Sequence, residues 1–375
     1  MSEPVYLDYN ATTPVDPRVL AAMLPWLREA YGNPSSEHRY GHQAKAAVAA
    51  ARTNVAALIG AASEEIVFTG CATEANNLAI LGTMPAGFGG LACSAVEHPS
   101  VAQPMRHLAA TGRRLAILEV DAQGRVRMDE AARAIGPGTA LVSVMLANNE
   151  VGSIQPIRAL ADLAHAAGAL MHVDAAQAAG KIPVDVDALG ADLLTLAGHK
   201  CYAPKGVGAL YVRKGTPIRA IQFGAGHERG LRPGTENVPY IVALGEAARL
   251  ARDGLADETA RLRTLRDILH GRLAAAIPDL ALNGHASQRL HNTLNLSFPG
   301  VAGWNLLAAV PELAASTGSA CHAGTHAASG VLGAMGLSEA RAAGAVRISL
   351  GRFTTALEVE RAAAALIAAY RQLST

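Results

Sequence analysis

The chain has 375 residues, of which 50% are hydrophobic, and its 32 basic and 31 acidic side chains leave a formal net charge of +1. This length is enough for one large domain and one smaller domain. Because the charge is balanced and no block of like charges occurs, the composition excludes a nucleic-acid or anionic-membrane binding surface and favours chemistry on a small molecule.

The cysteines and the first ten residues indicate the cellular compartment of the protein. Cys71, Cys93, Cys201 and Cys321 form no CxxC pair, which predicts free thiols in a reducing compartment. Residues 1–10 lack a basic segment followed by an apolar one, and no uncharged apolar stretch is long enough to span a bilayer. We therefore expect a cytoplasmic protein without a signal peptide or a membrane segment.

The first predicted elements are a short strand and two helices. The strand covers residues 5–8, and the first helix runs from about residue 16 to 30, with Pro17 in its first turn. A Gly/Pro-containing break at 32–36 precedes an alanine-rich helix over 37–59, whose apolar positions recur at helical spacing.

From there to residue 212, short apolar runs alternate with helical segments. This alternation predicts an α/β fold with a mainly parallel, seven-stranded sheet that is covered on both faces. The predicted strands lie near residues 65–69, 91–95, 114–118, 139–147, 169–174, 192–196 and 208–212. Open α/β folds bind ligands at the carboxyl edge of the sheet, so the residues that end these strands are the candidates for a site.

The remaining chain predicts a smaller α+β unit. A polar, glycine-rich loop over residues 224–237 is followed by a long helix from about residue 238, interrupted near Gly254. Further strands are predicted at 293–298, 313–316 and 346–350, before a last helix from about residue 355. We expect a large domain over residues 14–250 and a small domain formed by residues 1–13 and 251–375.

Two charged residues at predicted strand ends suggest a cofactor. Burial lowers the pKa of a lysine, and the neutral amine of Lys200 would suit a Schiff base with an aldehyde such as that of pyridoxal phosphate (PLP). A carboxylate such as Asp174 keeps a pyridine nitrogen protonated. Each residue alone also fits an ordinary role, Lys200 with its amine in water and Asp174 as a helix cap. The two together favour a PLP site.

Three further segments could complete such a site. The turn at residues 69–74 opens a helix, where backbone N–H groups bind a phosphate. His98 follows the next strand and could stack on a pyridine ring, or it could cap the following helix. Asn149 offers hydrogen bonds to a ring oxygen or to a substrate carboxylate, and Arg347, inside a predicted strand, needs an anionic partner such as a carboxylate.

A cysteine in a run of small polar residues suggests nucleophilic chemistry. Cys321 lies in such a run, over residues 315–326, where we expect an exposed thiol. The alternatives are an ordinary loop thiol and a zinc site of Cys321, His322 and His326. The zinc site lacks a fourth ligand nearby and leaves Lys200 unexplained, so we expect no metal.

These motifs, in this order, resemble the cysteine desulfurases of the NifS/IscS type, which are class V aminotransferases among the fold-type I PLP enzymes. The match runs nearly end to end. The matching motifs cover residues 6–8 with 10–14, 32–36, 72–74, 97–99, 148–152, 174–177, 198–200, 232–235, 318–321 and 347–352.

The resemblance implies a cofactor site assembled from several segments. Its residues would be Lys200, Ala72, Thr73, His98, Asn149, Asp174, Gln177, His199 and Thr235. In this arrangement Lys200 binds the aldehyde, Gln177 bonds the ring hydroxyl, and Thr235 reaches the cofactor of the other subunit in a homodimer.

The resemblance also implies the reaction. The catalytic residues would be Cys321, Lys200 and His98, while Asn149 and Arg347 hold the carboxylate of L-cysteine. Sulfur would move to Cys321 as a persulfide and leave L-alanine. A sulfur-acceptor protein, such as an iron–sulfur scaffold, would then receive it.

Three positions depart from the pattern of these enzymes. Ala197 stands where a serine commonly donates to the phosphate, and Cys71 stands where a glycine is common. With His322 after Cys321, this segment is similar to that of the selenocysteine lyases. A selenocysteine lyase of the same fold is therefore an alternative. A PLP-free scaffold that only binds sulfur-transfer partners is a further alternative, but it would give Lys200 no purpose.

Overall fold

The computed structural model describes residues 4–83, 89–318 and 329–374. Its strands are β1 (Val5–Tyr6), β2 (Ile66–Thr69), β3 (Gly90–Ser94), β4 (Leu115–Leu118), β5 (Thr139–Met145), β6 (Leu170–Asp174), β7 (Leu193–Ala197), β8 (Gly208–Val212), β9 (Ala281–Leu282), β10 (Thr293–Ser297), β11 (Leu313–Ala314) and β12 (Ala345–Ser349). Its α-helices are α1 (Pro17–Arg28), α2 (Arg39–Leu58), α3 (Ala72–Gly82), α4 (Pro99–Ala110), α5 (Met128–Ala134), α6 (Ile157–Ala166), α7 (Val186–Leu189), α8 (Val238–Ala276), α9 (Gly303–Ala308), α10 (Gly330–Ala334), α11 (Glu339–Ala343) and α12 (Ala356–Leu373).

The central sheet is the predicted seven-stranded, mainly parallel sheet. Its order is β2-β8-β7-β6-β5-β3-β4, and β8 runs in the opposite direction to the other six strands. Most of its strands are buried along their whole length, because helices cover both faces, and this explains their continuous apolar runs. All seven predicted strands are present, with ends that differ from the prediction by at most two residues.

Three neighbouring parallel strands of this sheet bring their carboxyl ends together. Met145 at the end of β5 is in register with Asp174 at the end of β6, and Asp174 is in register with Thr195 of β7. A 3-10 turn over Gly198–Lys200 continues directly from β7. Asp174 and Lys200 therefore lie at the same edge of the sheet.

The prediction of a helix interrupted near Gly254 is wrong. Helix α8 runs without a break from Val238 to Ala276. A glycine inside a helix costs about 1 kcal/mol relative to alanine, and burial on both sides of Gly254 outweighs that cost. Residues up to Leu250 pack in the core around the central sheet, and residues from Leu262 pack in a second core.

The second core belongs to a smaller α+β unit. Strands β12, β10 and β9 form an antiparallel sheet, and β1 pairs in parallel with β11. Thr355 caps α12 through a capping box with Glu358, which explains where the last predicted helix begins. The predicted division at residue 250 falls inside α8 and stays a prediction.

Within the described ranges, we find no helix whose length and apolar character would let it cross a membrane.

Candidate active site

A cavity of about 400 Å³ opens at the carboxyl edge of the central sheet. Predicted site residues that line it are Ala72, His98, Asn149, Asp174, Gln177, His199, Lys200 and Arg347. The sequence patterns therefore identified residues that the fold brings to one space. Lining residues to which no role was assigned are Asp8, Asn10, Ala11, Ser100, Met145, Ala147, Ala176, Ala197, Ser316 and Gly318.

Lys200 presents its amine inside this cavity. Its Nζ donates to the backbone oxygens of Asn10 at 2.6 Å and Ala11 at 2.7 Å. Burial, together with the nearby positive charge of Arg347, lowers the pKa of the Lys200 amine to about 8. A substantial fraction of the amine is therefore neutral near physiological pH, as a nucleophilic lysine requires.

Asp174 is held rigidly at the end of β6. Its Oδ2 accepts a hydrogen bond from the Asn76 amide at 2.9 Å, and its Oδ1 accepts from the backbone N–H of Ala176 at 2.9 Å. The bond from Ala176 is the local contact that we expect if Asp174 acts as a cap. The same carboxylate also faces the cavity, so its capping contact and a role toward a ligand coexist.

His98 likewise combines a capping contact with a place in the cavity wall. It is the N-cap of α4, where its Nδ1 accepts from the backbone N–H of Ser100 at 3.1 Å and lies 2.8 Å from the Ser100 hydroxyl. Burial is the main cause that lowers the pKa of His98, so the ring is neutral at physiological pH. A neutral imidazole can stack on an aromatic ligand and accept a proton.

The predicted phosphate-binding residues are only partly together. Ala72 opens α3 at the cavity, and His199 lines the same cavity with its Nδ1 3.2 Å from the Thr12 hydroxyl. Burial, and next the charge of Lys200, lower the pKa of His199 to about 4. Thr73, the next residue of α3, lines an adjoining open hollow between α3 and α4, which shares Ser100 with the cavity. Thr235 lies exposed in the glycine-rich loop.

Arg347 lies on β12 of the smaller unit and lines the same cavity. One Nη donates to Asp8 Oδ1 at 2.8 Å and the other donates to the backbone oxygen of Asn149 at 3.2 Å. The anionic partner expected from the sequence is thus present within the protein. Its Nε is buried and has no partner among the described residues, which leaves a donor for a further acceptor.

Asn10 connects both parts of the fold at this site and was missed by sequence reasoning. Its backbone oxygen accepts from Lys200, and its side-chain amide donates to the Thr293 hydroxyl at 2.9 Å and to the backbone oxygen of Asn149 at 3.2 Å. Asn292 donates to its Oδ1 at 3.2 Å. Its place in a turn after the first strand and in the matching motif at residues 10–14 marked it in the sequence, but neither signal indicates these contacts.

The thiols differ in their surroundings. Cys321 lies outside the described residues, as do His322 and His326. Burial raises the pKa of Cys93 to about 12 and that of Cys201 to about 11, so neither is a thiolate at neutral pH. Across residues 4–83, 89–318 and 329–374, no group of three His, Cys, Asp or Glu side chains could hold a metal ion.

Comparison with known proteins identifies the family. The sequence pattern described as Aminotransferase class-V matches residues 5–362. A cysteine desulfurase IscS of Anaeromyxobacter dehalogenans (strain 2CP-C) is 46% identical over 368 residues, which cover 96% of this chain and 91% of that protein. The chain belongs to the class V aminotransferase family, among the cysteine desulfurases.

Solved structures agree with this family. A NifS-like protein has a TM-score of 0.91 at 36% identity, with 99% of both chains covered. SspA in complex with cysteine has a TM-score of 0.82 at 35% identity, covering 93% of this chain and 99% of that one. The resemblance found in the motifs and the fold-type I architecture are confirmed.

Class V aminotransferase family members of this kind depend on PLP, and the cavity fits that cofactor. An amine for the aldehyde, a carboxylate for the pyridine nitrogen and the start of a helix for the phosphate surround one space of about 400 Å³. These groups belong to Lys200, Asp174 and Ala72. A volume of this order is usual for a ligand cavity.

Proposed function

We propose that this protein is a PLP-dependent cysteine desulfurase, which converts L-cysteine to L-alanine and transfers the sulfur to Cys321 as a persulfide. The arrangement of Lys200, Asp174 and Arg347 around one cavity is the observation that carries this proposal. The family of the chain and its similarity to a protein solved with cysteine support it.

The cofactor would be held by residues from several strand ends. Lys200 would bind the aldehyde, Asp174 the pyridine nitrogen, Gln177 the ring hydroxyl, and His98 the ring face. Ala72, Thr73 and His199 would hold the phosphate, with Thr235 of each subunit reaching the site of the other in a homodimer. When bound, PLP supplies an electron sink that stabilises negative charge beside the substrate amine.

The protein's own residues would bind the substrate and move protons. Arg347 and Asn149 would hold the carboxylate of L-cysteine. Lys200, whose amine has a lowered pKa, would transfer protons to and from the substrate. The Cys321 thiolate would attack the substrate sulfur, which breaks the carbon–sulfur bond as a sulfur–sulfur bond forms. L-Cysteine and one protein thiol thus yield L-alanine and one protein persulfide.

The persulfide would then be passed to an acceptor protein, such as an iron–sulfur scaffold. Sulfur transfer of this kind requires reduced thiols, and the described cysteines Cys71, Cys93 and Cys201 are free. We therefore also propose a cytoplasmic location.

The direct test of the proposal is the reaction itself. Purified protein loaded with PLP is expected to form L-alanine from L-cysteine, in amounts equal to the sulfide released with a thiol reductant. Borohydride should fix the cofactor on Lys200, as detected by peptide mass. A protein that binds PLP but leaves L-cysteine unchanged and cleaves selenocysteine would support the lyase alternative instead, and one that cannot bind PLP would refute both enzymes.

A first prediction concerns Arg347. Replacing Arg347 by leucine is expected to raise the KM for L-cysteine about 10- to 100-fold, because a charge-assisted bond to the carboxylate contributes about 1.5–3 kcal/mol. The Kd for PLP should change less than about threefold, since other residues hold the cofactor. Steady-state kinetics and a PLP titration measure the two effects separately.

The matched control is Asp8→Asn, which removes the ion pair of Arg347 but keeps its charge. This variant is expected to keep or lower the KM, because the guanidinium becomes more available to the substrate. If Asp8→Asn raises the KM as much as Arg347→Leu does, Arg347 acts through the ion pair and not on the substrate.

A further inference from the structure

A second lysine lies close to the cavity and takes no part in the reaction described above. Lys181 is largely buried, and its Nζ donates to Gln177 Oε1 at 2.7 Å and to Asn10 Oδ1 at 3.2 Å. No carboxylate of the described residues lies within ion-pair distance of this amine. A buried amine that contacts two amide oxygens and no counter-ion needs an explanation.

The contacts of Gln177 give that explanation. Its Nε2 donates at 2.8 Å to the backbone oxygen of Asn10, the same oxygen that accepts from Lys200 at 2.6 Å. The Lys181 amine, whose pKa burial lowers to about 7, donates to Gln177 Oε1, and the backbone oxygen of Asn10 can only accept. The side-chain amide of Gln177, between the two, therefore has one favourable orientation, with its oxygen toward Lys181 and its NH2 group toward Asn10.

This orientation determines what Gln177 can offer to a ligand. Gln177 lines the cavity, and the Lys181 contact occupies its oxygen. The second N–H of Nε2 has no partner among the described residues and is available to a ligand. An acceptor atom of the ligand, such as the ring oxygen of PLP, can bind it.

The backbone between Gln177 and Lys181 forms a turn that places the lysine next to the glutamine side chain. Lys181 follows Gln177 by four residues, across a turn in which Gly180 has φ +75°. A Cβ at Gly180 would lie 2.6 Å from Cys201 Sγ, so both the conformation and the close approach require glycine. The Thr259 hydroxyl of α8 donates to the Lys181 backbone oxygen at 3.3 Å and fixes the end of the turn.

We infer that Lys181 is a positioning residue, which holds the Gln177 amide with its N–H group directed to an acceptor oxygen on the ring of the cofactor. The inference rests on the proposed function, because the ligand is PLP. Lys181 itself is not among the residues that line the cavity. Its effect is transmitted through Gln177, and this is the property that a test must isolate.

The test is a double-mutant cycle on PLP binding. Apo protein of the wild type, Lys181→Met, Gln177→Leu and the double variant is titrated with PLP, and the Kd is read from the absorbance of the bound cofactor. Each single variant is expected to raise the Kd about 10-fold, as expected for one lost hydrogen bond of about 1.4 kcal/mol. The double variant should bind no more weakly than Gln177→Leu, because Lys181 has nothing to position once Gln177 is gone.

Two controls separate positioning from general stability. Lys45→Met removes an exposed lysine on α2 and should leave the Kd unchanged. Thermal unfolding of the apo proteins, without PLP, shows whether Lys181→Met folds. If it does not, Lys181→Gln replaces it, since that side chain keeps an amide donor, and its Kd should lie between those of the wild type and Gln177→Leu.

The outcomes distinguish this inference from the proposed function. A Kd that is unchanged in Lys181→Met while Gln177→Leu binds weakly, or effects that multiply in the double variant, would overturn the positioning role and leave the enzyme assignment intact. Failure of the wild-type protein to bind PLP would overturn the proposed function itself.

Discussion

Replacing Lys200 by alanine is expected to lower the rate of L-alanine formation from L-cysteine by at least about 10³-fold, because proton transfer by a positioned group alone contributes about 10²–10⁴-fold. The variant also loses the amine that attaches the cofactor, so two functions disappear together. Alanine production should be measured in protein supplied with excess PLP, so that weaker binding is not mistaken for slower chemistry.

Lys200→Arg is the matched control for charge. It keeps a cation near Asn10 and Ala11, but its guanidinium stays protonated and cannot act as the nucleophile. We expect it to be as inactive as Lys200→Ala. Wild-type rates in either variant would show that another group does the work assigned to Lys200.

The second large effect is expected at Cys321. Cys321→Ala should lose nearly all cysteine desulfuration, by about 10²-fold or more, because sulfur leaves carbon poorly unless a thiolate attacks it. Cys93→Ala is the matched thiol control. Its thiol is buried with a pKa of about 12, so its loss should leave the rate per folded protein unchanged.

The same variant separates the two lyase reactions. Selenium is a better leaving atom than sulfur and can depart without a protein nucleophile, so Cys321→Ala should retain cleavage of selenocysteine. Equal loss of both activities would mean that Cys321 is needed for the active site to form. A wild-type protein that acts only on selenocysteine would support the selenocysteine lyase alternative, which His322 suggests.

Sequence patterns correctly predicted that two candidate site residues lie at or just beyond the ends of strands. Asp174 and Lys200 each follow an apolar run whose length and composition indicate a strand, and parallel strands of one sheet end at the same edge. Their convergence on one cavity therefore follows from local patterns together with a general rule of topology. The lowered pKa of Lys200 follows in direction from the same burial.

Contacts between distant segments could not be predicted in this way. Asp8 pairs with Arg347 across 339 positions, and Asn10 accepts from Lys200 across 190 positions. No local periodicity encodes such pairs, because they depend on how the first strand joins the smaller unit. The orientation of Gln177 by Lys181 has the same origin, since it depends on the backbone oxygen of Asn10 as well as on local spacing.

The continuous helix α8 shows that tertiary packing can override a local sequence signal. Gly254 weakens a helix by its own propensity, but residues before and after it are buried in two different cores. Tertiary packing therefore decides the outcome. A local signal worth about 1 kcal/mol is too weak to set an element boundary when a helix is packed on both sides of it.

The central claim is that sulfur passes from L-cysteine to Cys321, and peptide mass spectrometry measures this directly. PLP-loaded protein is mixed with L-cysteine without reductant, alkylated and digested, and the peptide containing Cys321 is compared with those containing Cys71, Cys93 and Cys201. The account predicts one additional sulfur atom on Cys321 alone, formed as L-alanine appears. L-Alanine formed at the full rate with no added sulfur on Cys321, in the wild type and in Cys321→Ala alike, would contradict it.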